Sequence, residues 1–139
     1  MVATNDSGPA SAQLSGARIL VVEDDFIIGL ELSSILSDAG ATVVGPLTTV
    51  QEALLSADDE ALSAAILDIR LGAETVAPVA RLLAAHHVPF VFYTGQSRTD
   101  PVQAEWPDCK TLSKPALPGM IVKAVTALLA QPPAASVKH

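Results

Sequence analysis

Five residues able to do chemistry fall where strands should end. Asp68 closes the apolar run Ala64-Ala65-Ile66-Leu67, and Glu23 and Asp24 close Ile19-Leu20-Val21-Val22. Thr94, followed by Gly95, closes Phe90-Val91-Phe92-Tyr93, and Lys114-Pro115 follows an expected strand over residues 109–112. An apolar run bounded by polar residues is the pattern of a strand buried in a parallel sheet. Open sheets of that kind do their chemistry at the carboxyl ends of their strands. Three carboxylates gathered there repel one another and raise their own pKa values unless a cation joins them. Mg²⁺, which takes a few carboxylates plus waters, suits the set. A hydroxyl and an ammonium beside it, from Thr94 and Lys114, match what the oxygens of a phosphoryl group need. The chemistry indicated is acceptance of a phosphoryl group by Asp68. Asp25, one residue beyond the metal acids, is expected to turn away and cap a helix.

The elements that must position these residues alternate along the chain. Residues 1–16 are small and polar and are expected to form a flexible tail. Residues 17–130 form the folded domain, and Pro132-Pro133 begins a second tail over residues 131–139. After the first strand a helix is expected over residues 25–39, stopped by Gly40. A second strand over 42–45 is closed by Pro46, and Thr49 caps a helix through Leu55. Asp58-Asp59-Glu60 reads as a solvated turn. Gly72 loosens the loop after Asp68, and a third helix spans 76–86, with Pro78 confined to its first turn. Residues 96–107, broken by Pro101 and Pro107, allow a short helix at most, and the last helix spans 117–130. Five strand–helix repeats demand a parallel sheet with helices on both faces.

Composition excludes several classes. The chain has 139 residues, 50% of them hydrophobic, and a formal net charge of −7. That is enough apolar material for one domain with a real core. No Lys/Arg cluster exists to displace phosphate counterions, so nucleic acid is not an expected partner. No stretch approaches the roughly 20 apolar residues of a membrane span, and residues 1–16 lack a basic start and an apolar segment. The single Cys109 leaves no internal disulfide and suits a reducing compartment. A soluble, cytoplasmic protein is expected. Cys109 is read as core, Trp106 as a packing anchor, and His86-His87 as a helix end whose imidazoles complement the dipole.

Leu20-Val21-Val22-Glu23-Asp24-Asp25, Leu67-Asp68, Thr94-Gly95 and Lys114-Pro115 together resemble the signature of response-regulator receiver domains, over about residues 18–130. The resemblance implies a flavodoxin-like, doubly wound five-stranded sheet of order 2-1-3-4-5. It implies phosphorylation of Asp68 from the phosphohistidine of a histidine kinase, or through a phosphotransfer protein. It makes Glu23 and Asp24 metal acids and Arg70 a ligand through its backbone carbonyl, with Mg²⁺ as the cofactor and a cis Lys114-Pro115 peptide. Pro89-Phe90-Val91-Phe92-Tyr93-Thr94-Gly95 further resembles a single-domain α-proteobacterial subgroup that carries a Phe-x-Thr-Gly motif and often partners HWE-type kinases. Tyr93 fills the variable place of that motif. One departure is plain: Thr111 stands three positions before Lys114, where most receivers carry an aromatic switch.

The expected function is that of a stand-alone receiver, monomeric or weakly dimeric, that signals through protein partners or acts as a phosphate shuttle or sink. Its only catalysis would be its own phosphorylation and dephosphorylation. The alternative is a receiver-like interaction module that has lost the phosphorylation cycle; the complete Glu23, Asp24, Asp68, Thr94, Lys114 set speaks against it. A phosphatase acting on external substrates would carry a second Asp two residues after the nucleophile, where this chain has Arg70. On the first helix, Ile28, Leu32, Ile35, Leu36 and Ala39 follow the spacing of a buried stripe. Phe26 and Leu30 then fall on the opposite side as neighbours, a candidate docking face beside the acids.

Overall fold

The apolar run before Asp68 forms the central strand of a five-stranded parallel sheet. The structure is a computed structural model and describes residues 13–59, 61–95 and 100–130. Its elements alternate as β1 (Arg18–Val22), α1 (Phe26–Asp38), β2 (Thr42–Leu47), α2 (Val50–Ala57), β3 (Ala64–Leu67), α3 (Ala77–Ala85), β4 (Phe90–Thr94), α4 (Pro101–Glu105), β5 (Thr111–Ser113) and α5 (Pro118–Leu129). The strand order is β2-β1-β3-β4-β5, all parallel, which is the expected flavodoxin-like arrangement.

Side-chain alternation along the strands divides the interior into two layers. Leu20, Val22, Ala65, Leu67, Phe90 and Phe92 face one layer, where they meet α2 and α3. Ile19, Val21, Ala64, Ile66, Val91 and Tyr93 face the other, against Leu32 and Leu36 of α1 and Ile121, Val125 and Leu128 of α5. All four residues of β3 are buried, so this strand is apolar on both faces and carries no alternation. Full burial of a Leu, Ile or Phe side chain contributes about 1.5–3 kcal/mol. Trp106 packs edge-on against Phe90, with ring centroids 5.7 Å apart, as the anchor expected of it.

Several boundaries differ from the sequence reading. The inner end of the expected 1–16 tail is folded: Leu14 is fully buried and its N–H donates to the Ala39 carbonyl at 2.8 Å. Residues 1–12 and 131–139 lie outside the described residues, as do Glu60 of the acidic turn and residues 96–99. β2 does not stop at Gly45 but continues to Leu47 through a cis Gly45–Pro46 bond, with a register shift opposite Leu20 to Val22. An edge strand tolerates the missing proline N–H. Gly45 has φ of +119° and a Cβ there would meet the Val21 carbonyl oxygen at 2.6 Å, so only glycine fits. The segment after Asp68 is not a plain loop. Arg70–Leu71 and Glu74–Thr75 pair as an antiparallel hairpin whose turn includes Gly72 at φ +64°. β5 begins at Thr111, two residues later than expected, because the Cys109 N–H is used by the Trp106 carbonyl.

Candidate functional site

Backbone hydrogen bonds between neighbouring strands fix the site residues at one edge of the sheet. The Asp68 N–H donates to the Val22 carbonyl, the Glu23 N–H to the Leu47 carbonyl and the Lys114 N–H to the Thr94 carbonyl, each at 2.9 Å. These bonds place Glu23 and Asp68 side by side where the connections from β1 and β3 depart to opposite sides of the sheet. That crevice is where open α/β sheets bind their ligands. Asp25 caps α1 as expected, accepting from the N–H groups of Ile27 and Ile28.

The sequence-predicted residues converge. Carboxylate oxygens of Glu23, Asp24 and Asp68 lie within 4.8 Å of one another. Lys114 Nζ lies 2.7 Å from Glu23 Oε1 and donates to Asp68 Oδ2 at 3.1 Å. Asp24 accepts from the Gly72 N–H at 2.9 Å, which ties the hairpin turn to the acids. Thr94 is buried at the end of β4. The Lys114–Pro115 peptide is cis, as the resemblance implies. Arg70 lies in the hairpin, and its guanidinium pairs with Asp100 at 3.0 Å.

Two groups of contacts were not anticipated. Asp100, buried at the start of α4, holds Arg70 while its own N–H donates to Gln103 Oε1 at 2.7 Å. The Gln103 amide in turn donates to Thr111 Oγ1 at 3.2 Å, so the position without a ring is tied through Gln103, Asp100 and Arg70 to the segment after Asp68. Tyr93, read only as the variable place of a motif, is buried, and its hydroxyl accepts from the Ala116 N–H at 3.1 Å. The available signal was the phenol itself, since a buried tyrosine hydroxyl needs a partner.

Burial sets the electrostatics. It pushes Glu23 up to about 7, with Lys114 pulling the other way and Asp68 adding to the rise. Burial likewise raises Asp68, opposed by Glu23 and Lys114. Burial alone would lower Lys114, but the carboxylates of Glu23 and Asp68 outweigh it and hold the ammonium above its ordinary value. Because the folded Glu23 binds its proton more tightly than the ordinary 4.5, the folded state holds a proton that the unfolded chain has lost between 4.5 and about 7. Stability in the absence of divalent cations is therefore expected to fall as pH rises through that window. The lowered carboxyls of Asp59 and Glu105 act below it, where stability is lost on acidification. Denaturant midpoints measured across the window in chelator, for wild type and Glu23→Gln, check this: the variant should show a flatter slope, and equal slopes would contradict it.

The donor set fits a hard divalent cation. Glu23 Oε1 is buried without a hydrogen bond, the Lys114 ammonium 2.7 Å away is shared with Asp68, and the Glu23 carboxylate lies in the three-carboxylate group. One ammonium leaves three clustered carboxylates short of positive charge, and a hard divalent cation would make up the difference.

Neither a family model nor a curated protein matches the sequence. Among solved structures, SdrG from Sphingomonas melonis Fr1 is 40% identical, with 82% of this chain and 97% of that one covered at a TM-score of 0.71. A response regulator receiver protein from Sinorhizobium medicae WSM419 is 27% identical, covering 84% and 96% at a TM-score of 0.72. The signal receiver domain of a modulated diguanylate cyclase from Desulfovibrio desulfuricans G20 is also 27% identical, covering 81% and 92% at 0.71. Fold and site thus define a flavodoxin-like signalling domain. The structural neighbours are response-regulator receiver domains, and that likeness supports a response-regulator role in two-component signalling. Among the described residues no helix is long and apolar enough to cross a membrane.

Proposed function

We propose that the protein is a receiver that accepts a phosphoryl group on Asp68 from a histidine kinase or a phosphotransfer protein. The observation that carries this reading is the Lys114 ammonium held between Glu23 and Asp68, with Asp24 closing the acidic group. One Asp68 oxygen attacks phosphorus, the O–P bond forms as the N–P bond of the phosphohistidine breaks, and the electron pair stays on the departing imidazole nitrogen. Lys114 neutralises charge on the transferred oxygens, and the Thr94 hydroxyl donates to another. Mg²⁺ would be held by Glu23, Asp24 and Asp68, with the Arg70 carbonyl as the resemblance implies, and when bound it supplies further positive charge against those oxygens.

The protein catalyses only its own phosphorylation and dephosphorylation, works in the cytoplasm as a monomer or weak dimer, and passes its signal to protein partners. The Phe90-Val91-Phe92-Tyr93-Thr94-Gly95 run supports an HWE-type kinase as donor. Incubation with Mg²⁺ and acetyl phosphate, followed by intact mass measurement, tests the reading: a gain of one phosphoryl group is expected, and no gain would overturn it. Asp24→Ala should require a much higher Mg²⁺ concentration for the same extent of labelling. Labelling of that variant at the wild-type Mg²⁺ requirement would remove Asp24 from the metal site.

A further inference from the structure

We infer that Tyr93 is a positioning residue for Lys114. The inference rests on the reading of Asp68 as phosphoryl acceptor.

The last two residues of β4 hold the loop between β5 and α5 from two sides. The Thr94 carbonyl accepts the Lys114 N–H at 2.9 Å, and two residues further on the Tyr93 hydroxyl accepts the Ala116 N–H at 3.1 Å. At its far end Leu117 starts α5 without a side-chain cap, and Ala116 packs against the core layer that holds Tyr93. Tyr93 is itself immobilised: it is 5% exposed and packs in the layer shared with α1 and α5. Its ring does a second job. The Lys114 ammonium lies 5.7 Å from the ring centroid, within cation–π range, on its way to Glu23 and Asp68. Hydroxyl and ring together set where the Lys114 backbone sits and which way its side chain leaves. Phenylalanine at position 93 would keep the ring and release the loop; leucine would lose both.

The test is a cycle of Tyr93→Phe, Tyr93→Leu and Lys114→Ala, read as the rate of Asp68 labelling from acetyl phosphate with Mg²⁺. Tyr93→Phe should slow labelling severalfold and Tyr93→Leu more. In the Lys114→Ala background, neither change should matter, because Tyr93 acts only through that ammonium. Additive losses in the double variants would show a general structural role and overturn the proposal, as would an unchanged rate in both single variants. A second measurement does not depend on phosphorylation. In unphosphorylated protein the Ala116 amide should lose exchange protection in Tyr93→Phe, and the nitrogen NMR signal of the Lys114 ammonium should shift in Tyr93→Leu. Unmoved signals would refute the positioning role. Shifted signals in the variants, with a wild type that takes no label, would instead refute the acceptor reading and leave the positioning intact.

Discussion

Asp68→Asn is expected to abolish phosphorylation by kinase and acetyl phosphate alike while the fold survives. The carboxylate is 6% exposed, and its Oδ2 accepts from Lys114 at 3.1 Å. An asparagine of the same shape can turn its amide oxygen to that ammonium, so the core around β3 is undisturbed. What it loses is the charge that makes the oxygen a nucleophile. The swap also removes a like-charged neighbour of Glu23, so stability should hold or rise. Intact mass measurement should show no phosphoryl gain, and the thermal midpoint should not fall. Label appearing on another residue of the variant would overturn the assignment of Asp68.

Phe26→Ala combined with Leu30→Ala is expected to slow transfer from the cognate kinase by at least about tenfold, equivalent to about 1.4 kcal/mol, as loss of two interface anchors does. Both side chains lie out in solvent, Phe26 at 54% exposure and Leu30 at 45%, and Ile27 beside them is exposed at 66%. The opposite side of α1 is buried through Gly29, Leu32 and Leu36. Three large apolar side chains on the first turns of the helix that follows Glu23 and Asp24 form a patch that, on the proposed function, a histidine-bearing helix would meet as it approaches Asp68. Truncating them touches neither the acids nor Lys114, so acetyl phosphate should label the variant at the normal rate. Equal loss with both donors would mean damage to the site, and no loss with the kinase would remove this face from the interface.

The site was legible because its residues sit at strand ends, and strand ends show in the sequence as polar residues that stop apolar runs. β3 is the clearest case: buried on both faces, it reads as an uninterrupted apolar run into Asp68. Helix ends were legible where caps mark them, at Asp25, Thr49 and Gly40. The hairpin after Asp68 was not, because Arg70–Leu71 and Glu74–Thr75 are too short for alternation to register, and pairing across Gly72 decides them. β2 was cut short at Pro46, a breaker in most strands but not at this edge. Leu14 stands alone among small polar residues, so no periodicity announces its burial. The Arg70–Asp100 and Tyr93–Ala116 contacts join residues far apart in the chain, and only the assembled sheet brings them together.

The buried turn at Leu14 has a practical corollary for anyone wishing to attach something to this domain. The turn sits where β1 begins, and five strand residues at about 3.3 Å each separate that point from the acids. At the other terminus, α5 starts beside Lys114–Pro115 and carries the chain back over 12 residues, about 18 Å. Residues 13 and 130 therefore both stand at the rim of the sheet remote from Asp68. A fluorophore, an affinity handle or a surface tether joined at either place leaves the transfer face open, and the fold can be spliced between two other modules like a bead whose string enters and leaves on one side.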